Sequence, residues 1–366
     1  MRVVFRTDAS SQIGIGHVMR CLTLADKLRD RGSEVIFICA EMQGDMNKPI
    51  LEKGFPVFPV TLGTNSGLDN YDWKTDAAMT NDTLIDLNGV DWLIVDHYAL
   101  GLEWETAIRP YIKHIMVIDD LADRKHDCDL LLDQNYYRDQ ENRYQDLLPD
   151  HCVTLLGPAN VLLRSEFTNA MKKLRKRDGS VQRILVFFGG GDLTNQTRNV
   201  VKALKLLDNH EINMDIVVGM ANPSRNVIQA LCEGMLNVSF HCQVTNMAEL
   251  IHNADLGIGA GGSAMWERCC LGLPTITVVT AENQEKTTVD VDSVGAIEYL
   301  GWYNELGSED YARAITRMIE NPLRLIQIGE AAFSILQARG VCLEDIMHDI
   351  TEKTQDLHSL NHPVAR

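Results

Sequence analysis

MRVVFRTDASSQIGIGHVMRCLTLADKLRDRGSEVIFICA (1–40) holds a β-branched run, a glycine-spaced turn, an apolar-striped helix and a second strand. The first strand centres on VVF (3–5). In HVMRCLTLADKLRDRG, Leu22, Ala25 and Leu28 recur at helical spacing, and Gly32 closes the segment. EVIFICA (34–40) follows as an unbroken apolar run, the pattern of a strand buried on both faces. Strands of that kind joined by helices predict a parallel sheet covered on both sides.

The same alternation continues. After a polar stretch come DWLIVDHY (91–98), HIMVIDD (114–120) and DLLLDQN (129–135). The character changes over 157–182, where GPANVLLRSEF precedes the basic NAMKKLRKRDGS. The five Lys and Arg of 172–177 read as a solvated helix face near a domain boundary, with a phosphate contact as the alternative. A second series then runs through RILVFFGGGD (183–192), MDIVVG (214–219), LNVSFH (236–241), ADLGIGAGG (254–262), PTITVVT (274–280) and GAIEYLG (295–301). Helices over 308–320 and 322–338 follow. The expectation is an α/β protein of two doubly wound Rossmann-like domains, 1–165 and 180–340, facing across a cleft. Residues 341–366 form a tail, frayed or loosely docked from about 352.

At 366 residues the chain is long enough for two cores. A formal charge of −17 argues against nucleic acid or an anionic membrane as partner, but not against an anion site built from backbone amides. The nine cysteines are scattered, odd in number and without a CxxC, which points to buried reduced thiols rather than disulfides or zinc. MRVVFRTDAS reads as a strand and a polar loop, not a signal peptide. No run reaches the roughly 18 apolar residues of a membrane span. A cytoplasmic monomer or weak oligomer is expected.

Four stretches can carry chemistry. In SSQIGIGHVMRC (10–21), Gly14 and Gly16 let the backbone turn tightly and approach a ligand. His17 then enters the first turn of a helix, where the dipole disfavours imidazolium and leaves a ring suited to act as general base; the alternative is a histidine that only caps its helix. In GAGGSAMWERCCLGLP (259–274), amides of Gly261, Gly262 and Ser263 can take up a diphosphate without metal, and Glu267, one turn on, can accept from ribose hydroxyls. The alternative is a structural turn with a surface carboxylate. FFGGGDLTNQT (187–197), with Gly189 and Gly190, is a third strand-to-helix turn, capped near Asp192 or Thr194 and either structural or facing the same ligand. Last, Asp96, His97, Tyr98, Asp119, Asp120, Asp133, Gln134 and Asn135 sit at carboxyl ends of strands, where α/β proteins gather ligands. Asp119–Asp120 lacks an evident third ligand, so no metal is expected, and no cofactor.

Taken together, these motifs resemble the glycosyltransferase-B architecture; GAGGSAMWERCCLGLP and AENQ (281–284) look like the UDP-binding half of MurG-type transferases. FRTDASSQIGIGHVMRCLTLA, VDHY, VIDDLADR, LLLDQN, LLGPANVLLRSEF and FFGGGD resemble, in order, the hydrolases of UDP-2,4-diacetamido-2,4,6-trideoxy-β-L-altropyranose in pseudaminic acid biosynthesis. The resemblance implies a UDP-sugar as the small-molecule partner, split by water at the anomeric carbon with inversion, His17 being the base. It implies sugar contacts at Asp8, Gly14, Gly16, His97, Tyr98 and Asn283. Nucleotide contacts are expected at Gly189, Gly190, Val244, Gly261, Gly262, Ser263, Glu267 and Gln284. A transferase would use His17 on an acceptor hydroxyl instead, and a sugar-nucleotide sensor would bind without turnover.

Overall fold

Alternate side chains of a doubly covered strand enter two different cores, and this is how the apolar runs are used. In the computed structural model, which describes residues 1–8, 16–41, 47–62, 70–207, 210–337, 343, 345–349 and 351–352, Val3 and Phe5 pack in one cluster while Val4 packs in another on the opposite face. Gly14 lies outside the described residues.

The first unit contains β1 (Arg2–Thr7), α1 (Gly16–Asp30), β2 (Glu34–Ala40), α2 (Lys48–Glu52), β3 (Val57–Val60), α3 (Trp73–Leu87), β4 (Trp92–Asp96), α4 (Leu102–Ile108), β5 (His114–Ile118), β6 (Leu130–Asp133) and β7 (Val153–Leu156). Its strands form a parallel sheet in the order β3-β2-β1-β4-β5-β6-β7. α1 supplies Val18, Cys21, Leu22 and Ala25 to one face, whereas α3 and α4 supply Ala77, Leu84, Trp104 and Ile108 to the other. The sequence pattern missed β3, β7 and α3. Both strands are four-residue edges with exposed positions, so they lack the apolar continuity of the inner strands.

The second unit contains α5 (Ser165–Ala170), β8 (Arg183–Phe187), α6 (Gln196–Leu207), β9 (Asn213–Val218), α7 (Arg225–Cys232), β10 (Val238–Cys242), α8 (Met247–Asn253), β11 (Leu256–Ala260), α9 (Ser263–Cys270), β12 (Thr275–Val279), α10 (Glu285–Ser293), β13 (Glu298–Trp302), α11 (Ser308–Ile319) and α12 (Pro322–Ser334). The parallel order is β10-β9-β8-β11-β12-β13.

Two stretches do work the sequence does not display. The C-terminal helical residues belong to the first unit: Leu343 and Met347 enter its core, Trp92 Nε1 donates to Thr351 Oγ1 at 2.8 Å, and Arg31 pairs with Asp345. The basic stretch is a solvated face at Lys172, Lys173 and Lys176, as expected, and a structural strap at Arg175 and Arg177. Arg177 donates to the carbonyls of Ile251, His252, Ala254, Leu271 and Gly272, at the ends of α8 and α9, and Arg175 pairs with Asp255 at 2.5 Å. Carbonyls left over at helix C-termini are natural acceptors for such a cation.

Among the described residues, no helix is long and apolar enough to cross a membrane.

Candidate functional site

Each sheet reverses its strand order once, between β1 and β4 in the first unit and between β8 and β11 in the second. Loops that leave neighbouring strands in opposite directions open a crevice at that point, which is where ligands settle in such folds. His97 and Tyr98 follow β4, Gly189 and Gly190 follow β8, and Gly261 and Gly262 follow β11, at these points.

In the first unit the crevice brings together α1 and the end of β4. His17 is the second residue of α1 and is buried. Its Nδ1 lies 2.5 Å from Asp96 Oδ1. Arg20, one turn along α1, donates to the same carboxylate from Nε and Nη2, both at 2.6 Å, and to Asp120 Oδ2 from Nη1 at 3.0 Å. Burial by itself would raise the Asp96 carboxyl, but Arg20, then His17, hold it well below the usual carboxylate range. With an ionised acceptor at Nδ1, that nitrogen carries the proton and the basic lone pair sits on Nε2. The Tyr98 ring stands edge-on to the imidazole, with centroids 4.5 Å apart, and its hydroxyl bonds Asp120. The sequence anticipated His17 at a helix start; it gave no sign that Asp96 and Arg20 orient the ring.

Asp8 and His97, expected to meet the sugar, are buried and bonded to protein groups. Asp8 is 1 % exposed and accepts from Arg6, Tyr71, His97 Nε2 at 3.0 Å and the Ala40 amide at 2.7 Å. His97 Nδ1 accepts from the Ala99 amide at 3.1 Å, so both ring nitrogens are engaged. These two residues brace the crevice floor: the side-chain partners of strand-end residues come from distant segments and cannot be read from a local motif.

A second carboxylate group lies beyond β5 and β6. Tyr144 Oη is 3.0 Å from both Asp119 Oδ2 and Asp133 Oδ2. One phenolic proton can serve only one of the two carboxylates at a time, and Arg143 Nε donates to the same Asp133 Oδ2 at 3.1 Å. Burial, aided by Asp120 and Asp119 and opposed by the Asn135 amide and Arg143, pushes the Asp133 carboxyl up to about 7. Since its folded value lies above the unfolded one, the stability it contributes is full below about pH 4 and lost as pH rises through about 7. Carboxyl carbon NMR should therefore show Asp133 titrating near neutrality; a midpoint in the ordinary range of about 3–5 would show that burial does not raise it.

In the second unit the crevice is lined by glycines. Gly189 has φ +93° and Gly190 packs under Gly219, where a Cβ would meet the Gly190 carbonyl at 2.3 Å. Asp192 accepts from the Gln196 and Thr197 amides, each at 2.9 Å, and so caps α6. In the same unit, β11 is followed by Gly261 and Gly262, and α9 begins at Ser263. The Gly261 amide is committed to the Val278 carbonyl at 3.1 Å and the Met265 amide to the Gly262 carbonyl at 2.8 Å, so the diphosphate donors expected there narrow to the amides of Gly262, Ser263 and Ala264. A Cβ at Gly261 would stand 2.1 Å from Thr288 Oγ1, which excludes any larger residue.

Glu267, also on α9, is not an idle surface charge. Its Oε1 accepts from Arg164 Nε at 3.1 Å and Nη2 at 2.9 Å, while burial raises its carboxyl against that pairing. Gln284 Oε1 accepts from Thr280 N and Oγ1, both at 3.0 Å, and the side chain lies against Gly262, so it fastens the loop after β12 to the turn. Asn283 shares that short helical turn, and Val244 follows β10, half-buried. Among the described residues, no group of three His, Cys, Asp or Glu is disposed to hold a metal.

Residues 184–340 match the glycosyltransferase family 28 C-terminal domain. Over 302 residues the chain is 26% identical to the UDP-2,4-diacetamido-2,4,6-trideoxy-beta-L-altropyranose hydrolase of Campylobacter jejuni, covering 82% of this chain and 99% of that protein. It is 25% identical over 357 residues to the uncharacterized protein MJ1062 of Methanocaldococcus jannaschii, covering 92% of this chain and 66% of the archaeal one. Among solved structures it is similar to Acinetobacter baumannii MurG, with a TM-score of 0.64 and 15% identity over 96% of this chain and 99% of that one. These likenesses place the fold, two Rossmann-like domains, in the glycosyltransferase-B class.

Proposed function

We propose that this chain is a UDP-sugar-processing enzyme and, more narrowly, a hydrolase releasing UDP from a UDP-2,4-diacetamido-2,4,6-trideoxy hexose. The observation that carries the reading is the His17–Asp96 contact of 2.5 Å at the β1–β4 crevice, in a chain similar to a hydrolase of that class. The second unit's glycine turns hold the nucleotide, with the diphosphate on the Gly262 amide and the first turn of α9 and the ribose near Glu267. The first unit supplies the base.

In the proposed step a water oxygen forms a bond to the anomeric carbon as the bond from that carbon to the β-phosphate oxygen breaks. The bonding pair departs with UDP. The water's proton passes to His17 Nε2, and Asp96 steadies the imidazolium so formed, the division of labour of a base held by a carboxylate. UDP is a good leaving group, so orientation of water and neutralisation of phosphate charge are the main demands on the protein. Tyr98 and Asn283 are proposed to meet the sugar.

Incubation with the UDP-sugar and no acceptor, followed by phosphorus and anomer-resolved proton NMR, tests this directly. UDP and free reducing sugar should appear together, with inverted configuration at first appearance. The family 28 match favours a second reading, transfer to an acceptor hydroxyl activated by the same imidazole. UDP release that demands a second sugar or a lipid would establish transfer and end the hydrolase proposal. Binding without any turnover would instead leave a sugar-nucleotide sensor.

A further inference from the structure

Arg268, the sixth residue of α9, is 2 % exposed. Helix side chains slope toward the N-terminus, and a long one on the buried face runs back along its own helix. Arg268 does so: its Nη2 donates to the carbonyl of Ala260 at 2.7 Å, the last residue of β11 before the Gly261–Gly262 turn. The path is cleared by two strand glycines. A Cβ at Gly257 would stand 3.2 Å from Arg268 Cδ, and one at Gly259 would stand 2.8 Å from Nη1. A Cβ at these positions would first meet Thr275 Oγ1 at 2.8 Å and the Phe187 carbonyl at 2.3 Å, respectively, so the glycines of LGIGA serve the packing of β11 as well as the room left for the guanidinium.

Among the described residues, the Nε and Nη1 of that guanidinium find no hydrogen-bond acceptor. Thr277, beside Gly259 in the sheet, and Thr288, against Gly261, also leave buried hydroxyls unpaired. The carboxylate that supports this buried cation electrostatically is Glu267, whose hydrogen bonds go to Arg164, so the charge of Arg268 is only partly offset. Burial lowers its pKa only to about 10, so it stays charged at neutral pH. A fold that retains such a charge at this place gains from it when an anion arrives.

We infer that Arg268 is an anion-stabilising residue, its guanidinium delivered beneath the Gly261–Ser263 turn to add a full positive charge to the partial charge of the α9 N-terminus facing a diphosphate. The inference rests on the reading of that turn as the diphosphate site. Arg268 acts through the field across the turn and not by touching the reacting atoms, so its effect falls on ligands in proportion to their phosphate charge.

Calorimetric binding of uridine and of UDP to the full chain separates the possibilities. Arg268→Met, close in shape but neutral, should weaken UDP on the order of tenfold or more, the size of one screened charge interaction, and leave uridine unchanged. Arg268→Lys should retain most of the preference for UDP over uridine. Circular dichroism melting checks that each variant folds; if Arg268→Met does not, Arg268→Gln, neutral but polar, carries the same expectation. An unaltered UDP-to-uridine affinity ratio in the neutral variant overturns the inference. If the unsubstituted chain binds UDP no better than uridine, the diphosphate-site reading itself falls, independently of Arg268.

Discussion

Turnover of a His17→Asn or His17→Leu protein is expected to fall by about 10²- to 10⁴-fold, the usual contribution of a positioned general base, while its affinity for UDP stays that of the unsubstituted chain. The split follows from placement. His17 sits on the first unit with Nδ1 on Asp96, whereas the glycine turns proposed to hold the nucleotide belong to the second. Neither replacement can accept a proton from water at neutral pH. Asp96 keeps its two bonds from Arg20 in either variant, so no carboxylate is stranded and the fold survives. Initial rates of UDP release, with UDP affinity by calorimetry, check both halves. Turnover within a factor of a few of the unsubstituted protein would remove His17 from the chemistry.

The largest loss of stability should come from Asp76→Ala. Arg6 and Asp76 are both fully buried. Asp76 accepts from Arg6 Nη2 at 2.5 Å, Tyr71 Oη at 2.8 Å and Trp104 Nε1 at 2.7 Å, and Asp8 takes the rest of the Arg6 fork. Truncation strands one guanidinium charge with a single counter-ion and leaves the indole N–H without an acceptor. Breaking a buried pair by removing one partner costs about 3–5 kcal/mol. Urea unfolding followed by tryptophan fluorescence reads the first unit through Trp92 and Trp104, which both lie in its cores. A cost under about 1 kcal/mol, the range of an exposed pair, would show that the network is not the brace it looks to be. The Asp8–His97 contact ties this brace to the end of β4, so residual activity per folded molecule should also drop.

The architecture was legible because inner parallel strands write themselves as unbroken apolar runs. VVF, EVIFICA and WLIVD each fill two cores at once, and ILVFF sends Ile184 and Val186 into a third, which leaves little room for polar residues within the runs. The strand-to-helix turns were legible for a related reason, since glycine is demanded wherever backbones close on one another: Gly261 against Thr288 and Gly219 against Gly190 are contacts no larger residue permits. His17 could be picked out because it follows such a turn.

What the sequence alone determined is therefore local: strand and helix type, the positions of the tight turns, and the placing of polar residues at strand ends. Which partner each polar side chain takes was decided only by the tertiary structure. Asp96 and Arg20 meet across 76 residues, Arg164 and Glu267 across 103, and the C-terminal residues return to Trp92 across 259. Hydrogen bonds and ion pairs are short-ranged in space and indifferent to separation along the chain, so no local spacing records them. Burial adds the second reason. Asp8, Asp76, Asp133 and Arg268 look like ordinary surface charges in one dimension, and their roles appear once the packed sheet has removed water and left each of them to the few groups within reach.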